Sequence, residues 1–195
     1  MNTTMVSNNS EITKFFKIKY LSHCNTYNEE TLLKIQEESM KNNLNPELIF
    51  GIITLEKMNR GSLINRLLEV CGVYLIPSLI IKKNISIGLG QVKLSTAKEV
   101  LDDLDDKRIL KLLIHPLKCI EIVAMLLHKY SFELNSENQM TDSHIKKISN
   151  LYITGSSDPK LNFQIKTHFL LLKWSIENNL FNESLFKYRQ GSAIK

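Results

Sequence analysis

The sequence predicts a mainly α-helical domain with one short irregular or hairpin segment near residues 73–92. Apolar residues recur at helical spacing along most of the chain, and residues that cap helices precede several of these segments. Only seven glycines interrupt the 195 residues. With 43% hydrophobic and 23% charged residues, the chain has the composition of one globular domain that buries a core.

Cap residues predict the helices of the first third of the chain. Asn28, followed by two glutamates, predicts the start of an amphipathic helix. Asn45 as the N-cap and Pro46 at the first helical position predict the next helix, which we expect Gly61 to end. A short helix over residues 62–71 follows.

The helical period is lost after Gly72, which we expect to close that short helix. Residues 73–92 contain Pro77, Asn84 and two closely spaced glycines, a pattern typical of irregular or hairpin-like structure.

Helical signals return in the second half of the chain. Thr96 and Glu99 fit a capping box, which predicts a helix near 97–104, and Pro116 predicts the start of a long helix. The other predicted elements are helices over 107–114 and 142–153, a loop from Ser131 to His144, a helix from Asp158 and Pro159 to about Asn178, and a tail helix from Asn182. Residues 1–10 are polar and without period, so we expect a flexible N-terminus followed by a single domain over 11–195.

Charge and cysteine content restrict the class of protein. The formal net charge of +5 favours an anionic partner, but no dense Lys/Arg cluster favours nucleic acid. The cysteines, which we expect to be reduced, and the histidines are too scattered to predict a metal site or a cofactor: Cys24, Cys71, Cys119, His23, His115, His128, His144 and His168.

The N-terminal segment lacks the basic and apolar regions of a secretory signal. The longest apolar run, residues 72–81, is interrupted by Pro77 and Ser78 and is shorter than the roughly 20 residues of a membrane helix. We therefore expect synthesis in the cytoplasm, without a signal peptide and without a membrane span.

Glu56 is a candidate general acid. It shares a helix face with Leu48 and Ile52, which point inward, and a carboxyl removed from water keeps its proton more readily. The alternative is that Glu56 tilts outward in the last turn and pairs with Lys57, Arg60 or Arg66. Taken by itself, this helix favours the alternative.

The stretch "SIGLGQVKLSTA", residues 86–97, is the second candidate feature. Gly88 and Gly90 permit close backbone approaches, and Gln91 offers an amide donor and an acceptor beside them. Such a turn can line a cleft that holds a polar substrate. The alternative is a tight turn with no further role.

Three segments in order resemble the lytic transglycosylase and goose-type lysozyme branch of the lysozyme-like superfamily. "NPELIFGIITLEK" is similar to the helix that ends in that family's catalytic glutamate, and "ISNLYITG" is similar to the helix that supplies a tyrosine to the site. "SIGLGQVKLSTA" is the most specific match, at Ser86, Gly88, Leu89, Gln91, Val92, Thr96 and Ala97. The resemblance covers residues 45–155 and leaves 11–44 and 156–195 as helical extensions.

The chain departs from the family's pattern at several positions. Lys57 stands where many relatives have serine, Gly90 replaces the methionine before the glutamine, and the asparagine of the third motif is replaced by Ile153 or Thr154. The stretch between Glu56 and Ser86 is also longer than in simple transglycosylases.

The resemblance implies a lysozyme-like domain that cleaves peptidoglycan glycan strands between N-acetylmuramic acid and N-acetylglucosamine. Glu56 is then the general acid and base, while Ser86, Gly88, Gln91 and Tyr152 contact the substrate or shape the cleft. Transglycosylase chemistry closes the muramic C6 hydroxyl on C1 and requires no second carboxylate. Inverting hydrolysis requires a second carboxylate about 6.5–9.5 Å from the acid. Glu69 and Asp102 are the candidates for this second carboxylate. The alternative is that Glu69 pairs with Arg66 and that Asp102 lies in a solvated acidic run.

Two further classes of function remain open at this point. A lysozyme-like fold can bind glycan or protein without catalysis, and a basic helical module can bind nucleic acid with strong salt dependence. For the enzyme, the expected site of action is the periplasm or cell wall, reached by phage-type release or a secretion system. A delivery protein or an inhibitor protein is a candidate partner.

Overall fold

The computed structural model describes residues 3–60, 63–134, 141–155 and 163–192, which form eleven helices. The helices are α1 Thr3–Cys24, α2 Glu29–Lys41, α3 Pro46–Arg60, α4 Leu63–Leu75, α5 Pro77–Lys83, α6 Leu94–Ala97, α7 Asp106–Ile114, α8 Pro116–Glu133, α9 Asp142–Thr154, α10 Phe163–Glu177 and α11 Leu180–Ser192. A mainly α fold is thus confirmed. Over these ranges, the only extended pairing is an isolated antiparallel bridge between Ile87 and Val92.

Helix α3 lies at the centre of the molecule. Every residue from Glu47 to Leu55 is buried, and α3 packs against α1, α2, α8, α10 and α11. A helix that is apolar on all sides is stable only inside a core. These neighbours fix the position of α3 along its length. The side chains of its last turns are therefore held in fixed positions at the edge of the core.

Local capping produces the helix starts that the sequence predicts. The Asn28 side chain accepts a hydrogen bond from Thr31 N at 3.1 Å, and the Asn45 side chain accepts one from Glu47 N at 2.9 Å. Each bond satisfies a backbone donor that has no partner within its helix.

Gly72 does not close the fourth helix, contrary to the prediction. Helix α4 continues to Leu75, and a Cβ at Gly72 would lie 2.9 Å from Cδ1 of Ile80. Gly72 therefore permits close packing of α5 on α4, and Pro77 begins α5 instead. Helices occupy residues 73–83 except Ile76, so the irregular, hairpin-like part is shorter than expected and lies between α5 and α6.

The helix near 97–104 that the capping box at Thr96 predicts does not form. Helix α6 ends at Ala97, and residues 98–104 form turns whose apolar side chains pack against the core. Helix α7 is instead capped by Asp105, whose side chain accepts a hydrogen bond from Arg108 N at 3.0 Å. Burial of the side chains between the two helices outweighs the local capping signal.

Helices α9 and α11 lie close to their predicted positions, and α1 begins at Thr3, inside the segment expected to be flexible. The predicted stop at Gly61, the Asp158–Pro159 start and residues 135–140 of the predicted loop lie outside the described residues. The described ends of that loop are partly helical, because α8 continues to Glu133 and α9 begins at Asp142. Within the described ranges, no single helix is long and apolar enough to cross a membrane.

The buried carboxylate of Glu47 joins the first turn of α3 to the start of α11. Phe181 N donates to its two oxygens at 3.0 and 2.9 Å, and Asn182 N donates to Oε1 at 3.2 Å. Burial raises the pKa of the Glu47 carboxyl, and these backbone donors offset part of that rise. The contact links residues more than a hundred positions apart.

Glu47→Ala is expected to lower the free energy of unfolding by about 2–3 kcal/mol, because it leaves buried N–H groups without an acceptor. The pKa of Glu47 is raised in the folded state, so its contribution is complete below the ordinary glutamate pKa of about 4.3 and declines as pH rises. Urea unfolding at pH 4 and pH 7 measures both effects, with exposed Glu37→Ala as the control. A larger loss at pH 7 than at pH 4 would contradict this assignment.

Candidate active site

Glu56 lies in the last turns of α3, with its side chain 15% exposed. Its Oε1 is 3.4 Å from Nε2 of His168, a buried residue of α10. Nδ1 of His168 is 3.0 Å from Oγ of Ser149 on α9. A carboxyl, an imidazole and a hydroxyl from three helices thus form one polar chain at the end of the central helix.

The cations that could have neutralised Glu56 do not pair with it. Nζ of Lys57 donates to Oγ1 of Thr26 at 2.6 Å and lies 4.1 Å from the centre of the Tyr27 ring. Burial lowers the pKa of Lys57, and the nearby Arg66 lowers it further. Arg60 binds a different carboxylate, described below. The predicted alternative, in which Glu56 pairs with Lys57, Arg60 or Arg66, is therefore not what the structure contains.

The glycine turn, residues 88–91, is closed by the bridge between Ile87 and Val92. Gly88 has φ +77°, and a Cβ there would collide with the Leu113 carbonyl oxygen and lie 3.1 Å from Sγ of Cys119. A Cβ at Gly90 would overlap Cγ2 of Val123 and lie 2.8 Å from the Tyr152 hydroxyl. Both glycines are needed because the turn packs directly against α7, α8 and α9.

Gly88→Ala is expected to lower the free energy of unfolding by about 2–5 kcal/mol, because it combines left-handed backbone strain with a collision against a backbone carbonyl. Gly155 is a matched control: its φ is +73°, but a Cβ there meets nothing within 4 Å. Gly155→Ala therefore carries only the backbone strain, about 1–2 kcal/mol. Urea unfolding of both variants measures the difference, and equal losses would mean that the close approach at Gly88 is unimportant.

Glu69 of α4 holds this turn in place with both carboxylate oxygens. Gly88 N donates to Oε2 at 3.0 Å, Nε2 of Gln91 donates to Oε1 at 3.0 Å, and Nε of Arg60 donates to Oε1 at 2.9 Å. The Arg60 Nη2 donates to Oε2 as well. A carboxylate has about four acceptor positions, so Glu69 has none left. Its cationic partner is Arg60, which corrects the expected pairing with Arg66.

Tyr152 binds the glycine turn and lies near enough to Glu56 to be affected by its charge. Its hydroxyl donates to Gly90 O at 2.6 Å. Burial raises the pKa of Tyr152 well above the ordinary tyrosine value, and the negative charge of Glu56 raises it further. Tyr152 is therefore a neutral hydrogen-bond donor that lies within electrostatic range of Glu56.

The remaining two sequence candidates differ in position. Ser86 is half-buried just before the bridge that closes the turn. Asp102 is exposed in the turns between α6 and α7. Of the two candidates for a second carboxylate, Glu69 is hydrogen-bonded to saturation and Asp102 faces solvent.

A cleft of about 760 Å³ adjoins the glycine turn. Gly88 and Leu89 line one part of it, and two residues of α3 line another. Glu56 is not among its lining side chains, although its neighbour Lys57 is. Basic and imidazole side chains dominate the ionisable lining, namely His23, Lys57, Arg60, Arg66 and His115, whereas Glu30 is the acidic lining residue. The cleft is thus suited to a polar ligand that carries negative charge.

His168 and Ser149 are site residues that sequence reasoning missed, and Arg60 pairs with Glu69 instead of Glu56. His168 lies three positions after buried Ile165 and three before buried Leu171, so it belongs to the buried face of α10. That spacing could have distinguished it from the other histidines. Its pairing with Glu56 depends on the packing of α10 against α3, which no local pattern reveals.

In the described part of the chain, no group of three or more His, Cys, Asp or Glu side chains is arranged to bind a metal ion. Comparisons with protein-family models, curated proteins and solved structures find no match.

Proposed function

We propose that this chain cleaves the glycan strand of peptidoglycan between N-acetylmuramic acid and N-acetylglucosamine, with Glu56 as general acid and base. One observation carries the proposal: a partly buried carboxyl at the end of the central helix lies beside His168 and within electrostatic range of Tyr152, which binds the glycine turn. The acid, the tyrosine and the glycine turn are also the three features on which the family resemblance depends.

In the proposed reaction, Glu56 donates its proton to the glycosidic oxygen as the bond from that oxygen to C1 of the muramic residue breaks. The contact with His168 involves Oε1, which leaves Oε2 for the glycosidic oxygen. His168 acts as a positioning residue, because Ser149 orients its ring and neither residue needs to reach the sugar. Tyr152 holds the turn that shapes the cleft.

The transglycosylase outcome is favoured over hydrolysis because of Glu69. A base that activates water needs a free acceptor position, whereas Glu69 accepts from Arg60, Gly88 and Gln91 at all of its positions. In the second step, the muramic C6 hydroxyl therefore attacks C1 and returns its proton to the Glu56 carboxylate. The products are a 1,6-anhydro end and a new free hydroxyl, with no water consumed.

The cationic cleft supports a wall polymer as the substrate. Muramic residues carry carboxylates on their lactyl groups or peptide stems, and Arg66 and Lys57 line the cleft beside the turn. Arg60 lines the cleft as well, but its charge is neutralised by Glu69. Because Glu56 does not line the cleft, the cleft would hold a neighbouring part of the strand and not the bond that is cleaved. The proposed site of action is the periplasm or cell wall.

Mass spectrometry of the soluble products from purified peptidoglycan tests the reaction type. We expect muropeptides with anhydro ends, each lighter than the corresponding hydrolytic product by the mass of a water molecule. Reducing-end muropeptides would overturn the transglycosylase assignment and require a second carboxylate. Binding to peptidoglycan without any soluble product would instead favour a non-catalytic glycan-binding module.

A further inference from the structure

The outward face of α4 is apolar, although most surface helices place such a face inward. The side chains of Ile64, Leu67, Leu68, Tyr74 and Leu75 are between 62% and 78% exposed. Cys71, on the same face, is exposed as well. At 100° per residue these positions fall within an arc of about 120°, so they form one continuous stripe.

Helix α5 extends this stripe around a bend. Ile76 and Leu79 are 51% and 46% exposed, and Ile85, just after α5, is 42% exposed. The two helices together have the length and apolar composition of a bilayer span, but a bend of 109° separates them. This shape suits an element that lies in a membrane interface, with the bend immersed and both helices roughly parallel to the surface. We call the exposed apolar side chains of residues 64–85 the α4–α5 elbow.

The charges around the elbow are of one sign. Lys82 and Lys83 are exposed three and four positions after Leu79, whereas Arg66 lies on the other side of α4 from the apolar stripe and lines the cleft. The only acidic residue of 64–85 is Glu69. Glu69 is 12% exposed and is neutralised by Arg60. An apolar stripe bordered by exposed cations complements an anionic lipid surface better than it complements the mixed charges of a typical protein surface.

We propose that the α4–α5 elbow docks onto the surface of an anionic lipid bilayer. The apolar side chains enter the boundary between headgroups and acyl chains, and Lys82 and Lys83 contact the lipid phosphates. The inner face of α4 carries Glu69, which binds the glycine turn, so docking brings that turn close to the membrane. The inference does not rest on the proposed glycan cleavage, because none of the elbow side chains takes part in that reaction.

Co-sedimentation with vesicles of phosphatidylglycerol and phosphatidylcholine, compared with phosphatidylcholine alone, tests the proposal. We expect the full chain to bind the anionic vesicles. The double variant Lys82→Gln/Lys83→Gln is expected to bind about 30-fold more weakly, since each cation near an anionic surface contributes about fivefold to sixfold. The double variant Leu68→Glu/Leu75→Glu is expected to bind the anionic vesicles at least about tenfold more weakly, because the apolar stripe then carries charge. Circular dichroism verifies that both variants fold.

Two control variants show whether vesicle binding belongs to the elbow. Phe132→Asp removes a side chain that is 79% exposed on α8, outside the elbow, and is expected to bind vesicles normally. Glu56→Gln is expected to bind them as wild type does, whatever its activity. Absence of vesicle binding by the wild type, or equal binding by the elbow variants, would overturn the proposal. So would self-association that Leu68→Glu/Leu75→Glu abolishes in a protein that ignores vesicles, because the elbow would then be an interface between copies.

Discussion

Glu56→Gln is expected to lower the rate of muropeptide release by about 10²- to 10⁴-fold, the usual contribution of a general acid and base. The amide has nearly the shape of the carboxyl but cannot donate an acidic proton to the leaving oxygen. It keeps an oxygen or nitrogen atom at the position of Oε1, which lies 3.4 Å from Nε2 of His168 in the wild type. The loss should therefore appear in the rate and not in the fold.

Two measurements separate this chemical effect from damage to the structure. Thermal unfolding of Glu56→Gln should resemble that of the wild type. Glu37→Gln, which changes a carboxylate that is 61% exposed on α2, should retain full activity. A Glu56→Gln variant with undiminished turnover would exclude Glu56 as the acid.

Glu69→Ala is expected to lower the free energy of unfolding by about 3–5 kcal/mol, the range for breaking a buried ion pair at one partner. The substitution leaves the Arg60 guanidinium, 11% exposed, without its counter-charge. It also removes the acceptor for Gly88 N and for the Gln91 amide. The glycine turn would lose its attachment to α4, so activity should decline as well.

Urea unfolding measures the loss, and Glu177→Ala is the control. Glu177 is 57% exposed and lies 3.6 Å from Lys173, so its removal is expected to cost no more than about 1 kcal/mol. Arg60→Met/Glu69→Met should be more stable than Glu69→Ala, because it leaves no unpaired buried charge. A loss below about 1 kcal/mol for Glu69→Ala would show that its contacts with Arg60 and the glycine turn are not structurally important.

The sequence predicts well those helix starts that depend on contacts between residues close together in the chain. Asn28 and Asn45 each cap a helix through a bond to a backbone N–H two or three residues away, so the signal and its partner lie in the same short segment. Gly72 and Thr96 give wrong predictions because their roles depend on distant contacts. Gly72 packs against Ile80 of the next helix. The helix expected after Thr96 does not form, because the apolar side chains of 98–104 pack against the core in turns instead.

The candidate site could be predicted only in part. Glu56 stands out because a carboxylate follows an apolar helical stripe, and Gly88 stands out because glycines are scarce. The neighbour of Glu56 is His168, more than a hundred residues away, and Glu69 of α4 pairs with Arg60 at the end of α3. Such pairings follow from how the helices pack, which a periodicity of 3.6 residues does not specify.

The most direct measurement is mass spectrometry of the soluble material released from purified peptidoglycan by the wild type and by Glu56→Gln in parallel. Glycan cleavage by Glu56 predicts anhydro-muropeptides from the wild type and essentially none from the variant. The same products from both proteins, or no product from a folded wild type, would contradict it.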